Sequence, residues 1–266
     1  MMRPSILYYT YRPGSYDILV DSLKHQTHQD FELIIVDDMT SRKKDVAEYL
    51  ELNGIQPAYF GSSKKKCFPE LAYNCLNALN TGLLMSTGDP VIILTDYIWM
   101  HPTAIEQFCA FEEKYKEKYC ITSVGRMWEK EPFDLMNPLS VWKREWEGHP
   151  INNGAKYLYA WIPEKFELSF AALPWSIIEA TNGWPEALDC MTSYTVDQLN
   201  DFFFFHEKVG AKYYVAKDII CEMINHRDWQ PDYIWHATKQ IPLGSTKYIK
   251  RPNCFDLKTH ERGTLP

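Results

Sequence analysis

The sequence predicts an α/β fold: a single domain with a mainly parallel central sheet flanked by helices. Three observations point there. Strand-like runs alternate with helix-patterned segments through the first 125 residues, several of those runs read as buried strands, and polar residues gather where they stop. A chain of 266 residues is long enough to bury the core such a domain needs.

Ile6 to Tyr11 is a short run of β-formers closed by Arg12-Pro13-Gly14, and Ser15 is placed to cap a helix carrying Ile18, Leu19 and Leu23 on one side. Phe31 to Val36 reads as a buried strand ending in Asp37-Asp38. A polar helix through Val46, Leu50 and Leu52 follows and is stopped by Asn53-Gly54. Another strand is expected near Ala58 to Phe60. Pro69 opens a helix whose apolar stripe is Leu71, Cys75, Leu76, Leu79 and Leu83. Gly88-Asp89-Pro90 turns the chain into Val91 to Thr95, with Asp96 at the end of that strand. A helix over 103–116 and a strand over 120–124 complete this half.

From Gly125 to about Phe166 the periodicity is lost and aromatic residues accumulate, among them Trp128, Trp142, Trp146 and Trp161. A helix over 174–181, ended by Asn182-Gly183, precedes one over 194–209 that Gly210 stops. Tyr213 to Ala216 and Ile219 to Ile224 read as two later strands, and the tail after Pro242 reads as an arm or a loosely ordered end. The chain therefore divides into residues 1–125, residues 126–230 as the second half of the same domain, and 231–266 as a C-terminal helix and extended tail.

Composition narrows the function. The net charge of −7 argues against a nucleic-acid partner, which needs a basic surface, and Lys64-Lys65-Lys66 is too short to change that. The seven cysteines contain no CxxC pair, so a reducing compartment is the simpler reading. No apolar stretch approaches the length of a membrane span, and no leader-like segment precedes the first strand. A cytoplasmic protein is expected, with peripheral membrane association left open.

Ligands of open parallel sheets bind beyond the carboxyl ends of the strands. Three such ends are polar here: Thr10-Tyr11-Arg12, Asp37-Asp38 and Thr95-Asp96. An aromatic ring can stack on a base, one carboxylate can accept hydrogen bonds from base or ribose, and another can hold a divalent cation on a diphosphate. Neither GxGxxG nor GxxxxGK occurs, so dinucleotide and P-loop readings fail.

Three blocks then resemble family-2 glycosyltransferases. The first runs from Ser5 to Arg12, through Ser22 to Thr27, to Asp30 to Asp38. The second is Ala78 to Leu83 with Ser86 to Asp89 and the strand 91–95. The third is Asn182-Gly183-Trp184-Pro185-Glu186-Ala187-Leu188-Asp189 followed by Val196-Asp197. The resemblance implies an A-type (GT-A-like) glycosyltransferase fold that moves a sugar from a nucleoside-diphosphate sugar to a glycan or other hydroxyl acceptor with inversion, a step of glycan biosynthesis. It implies that Thr10, Tyr11 and Asp38 hold the nucleoside, with Asp37 a close alternative and Arg12 beside them. Lys65, within the lysine run, falls where a basic residue approaches the donor. Asp197 is implied as the catalytic base, with Asp189 and Glu179 as substitutes, since Val196 stands where relatives often carry Glu. Trp161, Trp175, Asn182 and Trp184 fall on the acceptor side. Residues 1–125 become the donor half and 126–230 the acceptor and catalytic half.

The departure from the family is at its Asp-x-Asp motif. Leu94-Thr95-Asp96-Tyr97-Ile98 keeps one carboxylate, Asp96, with His226 as a further candidate ligand for Mn²⁺ or Mg²⁺. A weakened metal site, a metal-independent enzyme and a catalytically silent nucleotide-sugar or glycan-binding module all fit this motif. A sugar nucleotidyltransferase fits worse, because Tyr8 to Gly14 is not the Gly-rich basic loop that a triphosphate requires. Each residue also has a structural alternative: a turn cap for Asp37, Asp38 or Asp96, a helix-dipole partner for Asp197, a hydrogen-bonded histidine at 226, and core packing for the tryptophans.

Overall fold

The computed structural model describes residues 2–12, 14–64, 75–115, 119–129, 156–161, 168–186, 209–224 and 256–264. Its elements are β1 (Ser5–Thr10), α1 (Tyr16–Lys24), β2 (Glu32–Asp37), a 3₁₀ turn (Thr40–Arg42), α2 (Lys43–Leu52), β3 (Tyr59–Gly61), α3 (Cys75–Met85), β4 (Val91–Thr95), β5 (Ile98–Met100), α4 (Ala104–Tyr115), β6 (Tyr119–Glu129), β7 (Lys156–Trp161), β8 (Phe170–Leu173), α5 (Trp175–Thr181) and β9 (Lys212–Ile224). The strands form one mostly parallel, curled sheet in the order β3-β2-β1-β4-β8-β6-β9-β5, with β7 also paired to β6.

The apolar runs of β1, β2 and β4 exist because both faces of the sheet are covered. Ile6, Tyr8, Leu33, Ile35, Ile92 and Leu94 point to one face and pack with Leu19 and Leu23 of α1, Val46 and Leu50 of α2, and Ile105 and Phe108 of α4. Their alternates Leu7, Ile34, Val36, Val91 and Ile93 point to the other face, against Leu76, Leu79 and Leu83 of α3 and Ile177 and Ile178 of α5. Gly82 lets α3 approach closely, since a Cβ there would fall 1.9 Å from Leu7 Cδ1.

β1 pairs in parallel with β2 on one side and β4 on the other. The chain passes from β1 to β2 through α1 on the first face, and α3, which leads into β4, lies on the second face. The winding direction therefore reverses between β1 and β4, and a crevice opens beyond Thr10 and Thr95 at the point where an open α/β sheet binds its ligand.

Several elements differ from the sequence reading. Ser15 precedes α1 but does not cap it: its backbone is left-handed (φ 70°), and its hydroxyl bonds the phenol of Tyr8 instead. The stretch read as aperiodic contains the second half of β6 and all of β7, and β8 follows it. The two late strands are one, β9, whose residues 217–219 are inserted where the pairing with β6 jumps from Ser123↔Ala216 to Val124↔Ile220. The tail is docked over residues 256–264: Leu257 is buried, Gly263 N donates to Leu84 O at 2.9 Å, and Arg262 donates to Ser86 O and Gly88 O. The helix start at Pro69 and the helix over 194–209, apart from its last residue, lie outside the described residues.

Glu112 of α4 is buried, and its Oε1 has no hydrogen-bond partner. Burial first, and then the negative charge of Asp89, push its carboxyl up to about 8. The folded protein therefore keeps a proton that the unfolded chain releases above its ordinary pKa of 4.5. The stability this confers is fully present below pH 4.5 and is lost as pH rises toward 8. Glu112→Gln should flatten that decline, raising stability near pH 8 by roughly 2 kcal/mol with little change at pH 5. Thermal unfolding of both proteins across this range checks it; parallel profiles would refute the assignment.

Candidate functional site

Three adjacent strand ends build the crevice. Thr10, at the end of β1, is in register with Asp37 of β2, and Tyr9 with Thr95 of β4. The backbone N–H of Asp38 donates to Thr10 O at 3.0 Å and ties the first two ends together.

Asp96 follows β4 in a tight turn into β5. Tyr97 holds that turn with φ 62°, a left-handed conformation unusual for a bulky residue and of the kind that collects at functional sites. β5 is anchored below it on α1, where Trp99 Nε1 donates to Asp21 Oδ2 and Met100 N to Ser22 Oγ, both at 2.8 Å. Asp96 is buried. Its Oδ2 accepts the Thr10 hydroxyl at 2.8 Å, and its Oδ1 lies 3.3 Å from Arg12 Nη1. Burial pushes its carboxyl above the ordinary range, against the opposing pull of Arg12 and the Thr10 hydroxyl. Thr10 Oγ1 also accepts the Arg12 backbone N–H at 3.2 Å, so one hydroxyl links both members of the ion pair. The Arg12 guanidinium lies 5.0 Å from the Tyr11 ring centroid and 5.8 Å from that of Tyr97.

The two aspartates after β2 have different roles. Asp37 is buried and saturated: Arg42 donates to it from Nε (2.9 Å) and Nη2 (3.2 Å), Tyr16 from its hydroxyl (2.8 Å), and Met39 from its backbone N–H (2.8 Å). All of these donors come from the protein, so Asp37 acts as an internal strut between β2, α1 and the 3₁₀ turn. Asp38 is half-buried at the crevice and is oriented by Ser63, whose N–H (2.9 Å) and hydroxyl (2.8 Å) both donate to it. Arg42 and Ser63 escaped the sequence reading. Only the spacing of Arg42, five residues after a strand-end aspartate, could have marked it.

Three of the four acceptor-side candidates, Trp175, Asn182 and Trp184, lie away from the crevice. Trp175 sits at the opposite end of β4, its N–H donating to Asp89 Oδ1 (2.9 Å) and its ring covered by Arg262 at 3.7 Å. Asn182 ends α5 in a left-handed conformation, and its Oδ1 accepts the Leu257 N–H at 2.7 Å. Trp184 is wholly buried, and its backbone is held on both sides by Asn80, whose amide also reaches Glu186. In this structure Trp175, Asn182 and Trp184 serve packing and capping. Glu179 lies on the exposed side of α5. Trp161 belongs to β7, but its side chain, with Lys65, Asp189, Asp197 and His226, lies outside the described residues.

A curled α/β sheet of this order, with a polar crevice at its switch point, defines an A-type glycosyltransferase fold. The glycosyl transferase family 2 model matches residues 17–152, just over half of the sequence, and the chain belongs to that family. Solved structures agree on the fold. A TarS structure from S. aureus (residues 1–349) superposes with a TM-score of 0.52 at 15% identity, covering 84% of this chain and 60% of that one. A longer TarS structure gives 0.50 at 14% identity, with the same share of this chain and 37% of the other. This chain thus spans less than two thirds of either TarS structure. Glucosyl-3-phosphoglycerate synthase from Mycobacterium tuberculosis, in complex with Mn²⁺ and uridine-diphosphate-glucose, gives 0.51 at 12% identity over 95% of this chain and 81% of the other. No curated protein sequence matches. Among the described residues, no helix is long and apolar enough to cross a membrane.

Proposed function

We propose that this chain transfers a sugar from a nucleoside-diphosphate donor to an acceptor hydroxyl, with inversion at the anomeric carbon. The observation that carries this reading is the convergence of Tyr11, Arg12, Asp38 and Asp96 at one switch point in a family-2 chain. Tyr11 offers a ring to the base. Asp38, aimed by Ser63, offers acceptor oxygens to base or ribose, and Arg12 offers a cation to the diphosphate. In the transfer, the acceptor oxygen loses its proton to a base and attacks the anomeric carbon from the face opposite the diphosphate. The bond to the diphosphate breaks, and its electron pair leaves with the phosphate oxygen. Asp197 is the base in this scheme, with Asp189 as substitute.

A divalent cation accompanies the donor in the mycobacterial synthase. The described residues of this chain do not fit one. No group of three or more His, Cys, Asp or Glu side chains is placed among them to hold a metal ion; Asp96 Oδ2 takes the Thr10 hydroxyl, its Oδ1 makes no hydrogen bond but lies 3.3 Å from Arg12 Nη1, and His226 falls outside the described residues. No step here is routed through a metal.

Titration with UDP and GDP, alongside donor hydrolysis, tests the reading. The protein should bind at least one diphosphate, and Asp38→Ala should weaken that binding about tenfold while leaving the melting temperature close to wild type. Absence of diphosphate binding would sink the proposal. The lone carboxylate after β4, with Thr95 and Tyr97 beside it, supports a second reading as a silent nucleotide-sugar-binding module. Binding without hydrolysis or transfer to any acceptor would favour that module.

A further inference from the structure

We propose that the cation facing the donor's diphosphate in this crevice is the Arg12 guanidinium in place of a divalent metal ion, and that Asp96 is the residue that positions it. The inference rests on the donor-binding reading above and deepens it.

The geometry around Asp96 is that of an anchor. A carboxylate serving as a metal ligand directs lone pairs into an open position, where waters and phosphate oxygens complete the coordination shell. Asp96 is 2% exposed, one oxygen takes the Thr10 hydroxyl, and the other faces Arg12. Tyr97, next in the turn, brings an aromatic ring to within 5.8 Å of the Arg12 guanidinium and supplies no carboxylate.

Arg12 is built in from four sides. Its backbone N–H is tied to Thr10, its Nη1 pairs with Asp96, and the rings of Tyr11 and Tyr97 lie near the guanidinium. Its side chain is 14% exposed against 2% for Asp96, so the carboxylate lies deeper, while Nε and Nη1 of the guanidinium are themselves covered. An anion entering from the strand ends therefore reaches the Arg12 side chain before the Asp96 carboxylate. A guanidinium is also suited to engage two oxyanions at once, because its planar fork of N–H donors matches carboxylate and phosphate geometry alike. A Lys ammonium is a point charge and lacks that property. As the sugar–phosphate bond breaks, the negative charge growing on the diphosphate meets a cation that is already oriented.

The test is diphosphate binding by calorimetry, with UDP and GDP as probes, in EDTA and in Mn²⁺. Wild-type Kd should be the same within about twofold in the two conditions. Arg12→Met should weaken binding by about tenfold or more in both, with Arg12→Lys falling between. Arg12→Met strips a buried carboxylate of its partner and risks the fold. Arg12→Lys keeps the charge, and the comparison of EDTA with Mn²⁺ needs no variant at all. Binding seen only with Mn²⁺, or Arg12→Met binding like wild type in EDTA, would overturn the inference and leave the donor-binding reading standing. Absence of binding in both conditions would overturn both.

Discussion

Asp37→Ala is expected to lower stability by about 3–5 kcal/mol, because it leaves the Arg42 guanidinium buried without its counter-charge. Both side chains of this pair are essentially inaccessible, and removing one partner exposes the full desolvation cost of the other. The Tyr16 hydroxyl and the Met39 N–H lose their acceptor in the same step. For a chain of this size, the change should drop Tm by on the order of 10 °C. Asp37→Asn should fall in between, since it keeps an acceptor but loses the charge. The double variant Asp37→Asn/Arg42→Met should recover part of the loss, because it removes the orphaned cation. A ligand-binding role predicts the reverse pattern: near-normal melting and lost diphosphate affinity. That outcome would place Asp37 in the donor site.

The second large effect is expected at Gly88. A Cβ there would lie 2.5 Å from Arg3 O, 2.6 Å from Pro4 C and 2.7 Å from Ser5 N, all of them backbone atoms. No rotamer change can relieve such a contact, unlike at Gly82, where the obstacle is the end of the Leu7 side chain. The Gly88 N–H also donates to Ser5 Oγ and Glu32 Oε1, both at 2.8 Å, within a cluster that fastens the starts of β1 and β2 to the turn before β4. Glu32 is the acceptor of this cluster: burial works to raise its carboxyl, but the bonds from Ser5, Thr87 and Gly88 outweigh it and hold the group below its ordinary range. Gly88→Ala should cost about 3 kcal/mol, and Gly82→Ala distinctly less. Chemical denaturation of the two variants side by side decides it; equal losses would show that the backbone at Gly88 yields as easily as a leucine side chain.

The parallel part of the fold was readable from residues because burial on both faces forces unbroken apolar runs, as in Val91 to Leu94. What could not be read depends on partners far away in the chain. β5 is three residues long and exists through its pairing with β9, more than a hundred residues later. β7 and β8 are likewise set by pairing to β6. Lys217 and Asp218 looked like a break between two strands, yet they sit in the insertion that β9 accommodates while continuing. At the crevice, the three polar strand ends were legible because topology alone brings them together. The division of labour between Asp37 and Asp38 was not, since it depends on which carboxylate Arg42 reaches and which Ser63 reaches. The place of Trp184 was not legible for a different reason: tryptophan suits a core as well as a sugar cleft, and Trp184 is fully buried.

The docked segment at residues 256–264 bears on the order in which this molecule assembles. Arg262 reaches the carbonyl of Ser86 across 176 residues of chain. Closing a loop of that length costs about 4–5 kcal/mol in chain entropy before any contact repays it. The surfaces that receive it, the end of α3 and the ring of Trp175, come from two elements that stand together only once β4 and β8 have paired. The segment therefore cannot seed the sheet. It fastens onto strands β4 and β8 once they are paired.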